Sequence, residues 1–315
     1  MLRLCDRSGW SHSFDKPECG SILGLSWSHD GTVVSGAGGN GQVVFGHIVD
    51  RTLSWAHIEA VLDQENKISI NDCLHEMNDD LDFRERVVNM SMKHNHLIVC
   101  TTGQCYVYNV MNWTSPFVFD IKDVVFLIVQ GAKYFALIDA SQNFNVYSYE
   151  GKLVSSPKYQ GLRVEFLNQR HISLASDILA VIDPSNPKTV KIFDIMSGKP
   201  TNQIDHSTEI LEMDINQVEM SSERKMCFID SNRDMFLSMV HKPEILKICN
   251  MVDSFSWNDT NDMLTALSDG KLKTWFYPNA IYVDRDLMNK AMAQKEATDV
   301  GKLGNITQFN GNLVT

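Results

Sequence analysis

Four groups of residues in this sequence have types and spacings that could do chemistry. His94-Asn95-His96 is followed by Cys100 and Cys105. On a strand the two histidines would share one face, because side chains repeat every second residue. Imidazole with thiolate is a zinc-type donor set, but zinc sites use tight pairs such as C-x2-C, and none occurs here. Histidines of a strand and its turn are therefore expected. Gly36-Ala37-Gly38-Gly39-Asn40-Gly41 satisfies G-x-G-x-x-G. A dinucleotide site also needs a helix after that motif to receive the pyrophosphate. The next residues, Gln42-Val43-Val44-Phe45, are mostly β-branched and aromatic, so a glycine-rich hairpin turn is expected, glycine supplying positive φ without steric cost. His75-Glu76 has no second histidine at the zincin offset. Asp79-Asp80 and Asp284 with Asp286 are carboxylate pairs of the kind that glycoside hydrolysis uses, but nothing else accompanies them and solvated acidic loops are expected. No G-x-S-x-G, C-x-x-C or Walker-type loop appears. The expectation is no catalytic, cofactor-binding or metal-ligating residue, and no cofactor.

The elements that would position these residues can be read from composition and repeat. The chain has 315 residues, 43% of them hydrophobic and 21% charged, enough apolar content for one large core or two ordinary ones. Its formal net charge of -11 repels phosphate backbones, which excludes nucleic acid as a main partner. The seven cysteines (5, 19, 73, 100, 105, 227 and 249) are odd in number and show no framework, as expected of reduced thiols in a cytosolic chain. No signal-peptide hydrophobic region follows Met1, and the longest apolar run, Val124 to Val129, is strand length, so no membrane insertion is expected.

A strand–turn–strand–turn–strand phrase runs from Ile22 to Val49, with Trp27 closing its first strand. The same phrase returns from Val252 to Phe276, with Trp257 in the matching place and Trp275 in the third strand. Weaker copies begin at Val87, Val124, Val164 and Ile210. With first strands starting at 22, 87, 124, 164, 210, 252 and 306, most steps match a propeller blade of about 40 to 45 residues. The expected fold is all-β: a seven-bladed WD40-like β-propeller with the last blade incomplete. Two long steps call for insertions at about 63–86, which is polar and acidic, and at 286–302, which is rich in helix formers. Domain boundaries are expected at 1–21 for the end of a preceding propeller or linker and 22–315 for this one. Trp27, Trp257 and Trp275 are expected in core packing between blades, and packing is also preferred for Trp55 and Trp113.

Ser148-Tyr149-Glu150-Gly151-Lys152, Cys227-Phe228-Ile229-Asp230-Ser231-Asn232-Arg233-Asp234, Trp257-Asn258-Asp259-Thr260 and Tyr277-Pro278-Asn279-Ala280-Ile281-Tyr282-Val283-Asp284-Arg285-Asp286 closely resemble the WD-repeat subunit of intraflagellar transport complex B. The likeness is to the second propeller of that family, whose members carry two propellers and a helical tail. The resemblance implies a non-enzymatic scaffold, partnered by other complex B subunits with possible self-association. It also implies residence in the cytoplasm, the cilium and the ciliary basal body, and a fragment or short form of the family. The interruptions at 63–86 and 278–302 are the expected contact elements, since long loops on a rigid body carry recognition. Two rival readings are a coatomer-like vesicle-coat propeller and, with less support, a secreted propeller glycosidase.

Overall fold

The structure is a computed structural model that describes residues 2–5, 11–15, 17, 19–28, 33–47, 51–217, 221–242, 244–296 and 306–315. It is almost entirely antiparallel sheet and divides into two compact units. One comprises residues 1–126 with 165–168, the other residues 127–164 with 169–315.

The first unit holds two four-stranded meanders. In the first, strands Thr52–Trp55, Ile58–Gln64, Lys67–Asp72 and Met77–Asp82 pair in sequence order. The expected insertion at 63–86 is thus the body of a blade. Its polarity misled because the polar residues are one side of a period-2 alternation. Lys67, Ser69 and Asn71 alternate with fully buried Ile68 and Ile70. The acidic run Asn78 to Asp82 is the outermost strand, where charge discourages edge-to-edge pairing. Lys67 Nζ reaches Asp80 Oδ2 at 2.8 Å, and the Ser69 hydroxyl donates to Asp80 at 2.9 Å. The second meander is Val87–Lys93, His96–Thr101, Gln104–Asn109 and Asn112–Asp120. The two share a core of Ile58, Leu62, Ile68, Ile70, Phe83, Met90, Leu97 and Tyr108.

A three-stranded sheet, Ile22–Trp27, Val33–Gly38 and Val43–His47, precedes them. Its large apolar side chains Leu23, Leu25, Val43 and Phe45 are exposed, and Trp27 is 53% exposed. Trp27 is therefore not the core residue expected from its match to Trp257, which is buried. The strand repeats, but among the described residues its tryptophan is not packed into a core.

Four more four-stranded meanders follow, Val125–Ser155, which lies in the second unit from residue 127 on, and Ile172–Asp205, Ile210–Cys249 and Val252–Glu296 within it. A final two-stranded piece, Phe309–Asn310 with Leu313–Val314, is tied to the last of them. The Asn258 amide donates to the Gly311 carbonyl at 2.8 Å, and the Ile306 amide donates to the Ser254 hydroxyl at 2.8 Å. Val164–Phe166, expected as a first strand, is a single 3₁₀ turn, and the strand begins at Ile172. Within 286–302, the described residues include a strand, Met292–Glu296, that pairs with Lys271–Trp275 as a fourth strand.

First strands of the six full sheets begin at 52, 87, 125, 172, 210 and 252, steps of 35, 38, 47, 38 and 42 residues. The rhythm is more regular than the sequence suggested. The sheets repeat at a finer level too. The pairing of first and second strands slips at one site in three of them, Val87/Asn89, Ile210/Glu212 and Val252/Ser254, a bulge that sharpens the local twist. Turns between second and third strands repeat a left-handed residue, Gln142, Arg233 and Asp269. In two of these turns the aspartate that opens it (Asp139, Asp230) accepts the amide four residues on.

If 63–86 were a solvated loop, Ile68→Ala would be nearly neutral. As a core strand it should cost about 2–5 kcal/mol of unfolding free energy, measured by urea titration.

Candidate interaction surfaces

None of the residue groups singled out in the sequence assembles a reaction centre. Gly36 to Gly41 is a hairpin turn, as expected: strand Val33–Gly38 runs through it into strand Val43–His47. Glycine is required at 38, where a Cβ would meet the Cys19 backbone oxygen at 2.6 Å, and Gly41 has a φ of 85°. His94 and Asn95 form the two-residue turn between Val87–Lys93 and His96–Thr101, both with positive φ. The His94 ring lies tilted against Trp55, ring centroids 5.5 Å apart, and burial, helped by the charges of Lys93 and His96, lowers its pKa to about 3. His96 points its Nδ1 at the His94 carbonyl oxygen, 2.8 Å away. Cys100 and Cys105 are buried cross-strand partners with sulfurs 3.7 Å apart, and burial together with its partner thiol pushes Cys105 well up.

One carboxylate of each acid pair has a structural role. Asp80 serves Lys67 and Ser69, as above. Asp284 caps the short helix Arg285–Lys290 by accepting the Asp286 amide at 3.0 Å. Trp55 is buried and Trp113 packs against the same cluster, as preferred for both. Trp257 and Trp275 lie in the core of the second unit, as expected.

Sequence reasoning missed a set of buried polar ties in the second unit. Arg224 and Lys225 are adjacent and fully buried in the sheet Ile210–Cys249. The Arg224 guanidinium holds Asp177 at 2.7 Å and also donates to the Asn216 carbonyl and the Ser176 hydroxyl. Lys225 Nζ reaches Asp262 Oδ2 at 2.6 Å. Asp177 and Asp262 come from the sheets before and after. A third tie runs through Asp214, whose carboxylate accepts from the Ser173 hydroxyl and whose carbonyl accepts from the Trp257 indole. Each of these ties joins neighbouring sheets through buried polar groups. No spacing rule announces them, because the partners in neighbouring sheets are 37 to 48 residues apart.

Two features of the second unit are candidates for contact with other molecules. The first is the helical insert between strands Lys271–Trp275 and Met292–Glu296, formed by helices Ala280–Val283 and Arg285–Lys290. Ile281 and Met288 anchor it in the core with Trp257 and Trp275. Phe276 and Tyr277 are exposed, and Val283 is 78% exposed. Three large apolar side chains shown to water by so anchored a body make the insert a candidate interaction surface. The second is a cleft of about 690 Å³ lined by Lys247, Lys271 and Lys273 with Cys249, Ser268 and Gln294. Lys273 Nζ is held there by the Ser268 hydroxyl and the Cys249 sulfur at 3.2 and 3.3 Å. Among the described residues, one group of three ligating side chains converges, His57, Asp72 and His75, at one end of the sheet Thr52–Asp82.

His94 is neutral when folded and must gain a proton to match the unfolded chain, so stability should fall as pH drops from about 6.5 toward 3. His94→Asn keeps a residue that tolerates positive φ and should flatten the wild-type slope in that window, checked by urea midpoints at several pH values.

Known proteins bear on these surfaces. The sequence profile of the IFT80 second beta-propeller family matches residues 50–315. The chain is 39% identical over 322 residues to the intraflagellar transport protein 80 homolog of Rattus norvegicus, and 38% identical to that of Mus musculus. All of this chain is covered in both comparisons, and it spans 41% of each relative. Among solved structures, the computationally designed Ika8 protein aligns with a TM-score of 0.53 at 11% identity, over 94% of this chain and 93% of that one. KlHsv2 with loop 6CD replaced by a Gly-Ser linker aligns with a TM-score of 0.50 at 7% identity, over 92% of this chain and 86% of that one. At such identities the likeness is one of fold alone.

Proposed function

The chain belongs to the IFT80 second beta-propeller family, and from that membership we propose that it is a non-enzymatic scaffold segment of intraflagellar transport complex B. In this reading it binds other complex B subunits during cilium assembly and ciliary cargo transport, and resides in the cytoplasm, the basal body and the cilium. The carrying observation is the family match over 50–315 together with identity to the rat relative along the whole chain. The chemistry of the fold is consistent with it. The carboxylates at 80, 177, 262 and 284 hold neighbouring parts of the molecule and converge on no common point. Of the two contact elements expected from the sequence, 63–86 is blade, and the contact role therefore moves to Phe276, Tyr277 and Val283 of the helical insert.

The propeller is proposed to begin near residue 50, not near residue 22. The family match starts there, the first four-stranded sheet opens at Thr52, and the sheet Ile22–His47 has three strands with Leu23, Leu25, Val43 and Phe45 exposed. A chain starting at residue 50 should unfold with the same urea midpoint as the whole, and a midpoint lowered by more than 1 M would place Ile22–His47 inside the propeller.

Immobilised chain incubated with individually produced complex B subunits should retain at least one of them. Val283→Asp with Tyr277→Ala should weaken that capture about tenfold or more without lowering the melting temperature. Unchanged capture by the double variant would move the contact elsewhere, and capture of no subunit would remove the scaffold reading.

A further inference from the structure

His57, Asp72 and His75 come from two turns of one sheet. His57 lies in the turn joining Thr52–Trp55 to Ile58–Gln64, and Asp72 ends the strand Lys67–Asp72. Asp72 pairs with Ile58 on one side and Met77 on the other, so all three side chains sit at the same end. The turns are pinned together by the Cys73 amide, which donates to the His57 carbonyl at 2.9 Å. Ala56 and Glu76, one in each turn, both take a φ of 53°.

This pinning sets the aspartate. Its Oδ1 accepts the amides of Leu74 and His75 at 2.9 and 3.0 Å, which fixes the carboxylate plane and aims Oδ2 between the rings. Oδ2 is 2.8 Å from His75 Nδ1 and 3.6 Å from His57 Nε2. The rings meet edge to face, with centroids 5.6 Å apart. Burial pushes the Asp72 carboxyl up, but hydrogen bonds from the His75 ring and amide and from Leu74 outweigh it and hold it below the ordinary value.

We propose that His57 Nε2, Asp72 Oδ2 and His75 Nδ1 form a site for one divalent late transition metal, zinc being the reference ion, with the fourth position open to water or a partner's side chain. Zinc bonds of about 2.0–2.2 Å in a tetrahedron separate neighbouring ligand atoms by roughly 3.3 Å. The His57–Asp72 separation is already close to that. The His75–Asp72 hydrogen bond would open by about half an ångström as the metal takes the place of its proton. Two imidazoles with one carboxylate favour zinc, nickel or copper over magnesium or calcium. The sequence hides the site because its ligands are 15 and 3 residues apart, outside the paired spacings of common zinc motifs.

The test is calorimetric titration of the whole chain with zinc chloride, with magnesium chloride as the control. One zinc per chain and no heat with magnesium are expected. His57→Ala and His75→Ala should each weaken binding about tenfold or more. Cys73→Ser should bind as the wild type does, because the adjacent exposed thiol is not a ligand. Zinc should raise the melting temperature of the wild type and Cys73→Ser but of neither histidine variant, which separates loss of the site from loss of the fold. No zinc uptake by the wild type would overturn the proposal. So would binding that survives both histidine variants, or binding that Cys73→Ser abolishes.

Discussion

In three sheets of the second unit the second strand has no face it can show to water, and the layers around it are arranged to cover it. Ile178–Ile182, Lys225–Asp230 and Leu264–Ser268 are buried at every position. A strand buried on both sides reads as a continuous apolar run and needs a packed layer against each face. Each large side chain so covered contributes about 1.5–3 kcal/mol, which a lone meander could not gather. That requirement explains why the sheets recur at steps of 35 to 47 residues, and why the outer strands, such as Pro200–Asp205, carry the polar residues.

Covering alone does not fix how one sheet registers on the next. In the second unit that role falls to Arg224 and Lys225. Each is a fully buried cation neutralised by an aspartate of an adjoining sheet. Buried pairs of this kind add specificity of arrangement more than stability, since desolvation offsets most of their attraction. The insert at 276–290 is anchored in this body by Ile281 and Met288 and leaves Phe276, Tyr277 and Val283 exposed. Metal at His57, Asp72 and His75 would brace two turns at one end of another sheet.

Much of the fold was legible in the sequence. The phrases at Ile22 and Val252 gave away the meander, and the strands near 97–101, 135–139 and 225–229 were visible as apolar runs. One blade was not. Its inner strand Lys67–Asp72 alternates so cleanly, and its outer strand is so acidic, that polarity per residue resembled a loop although Ile68 and Ile70 are core. Trp27 misled the other way, since its strand matches that of Trp257 while its surroundings do not. The ion pairs and the His–Asp–His group depend on residues that only folding brings together.

The proposed scaffold would engage complex B through one helical insert, and hydrogen exchange of the chain, alone and with the complex B subunits, can locate that contact. Partners should add protection at Phe276 to Lys290 while the second strands of the six sheets stay slow throughout. Added protection confined to other segments, or none at all, would contradict it.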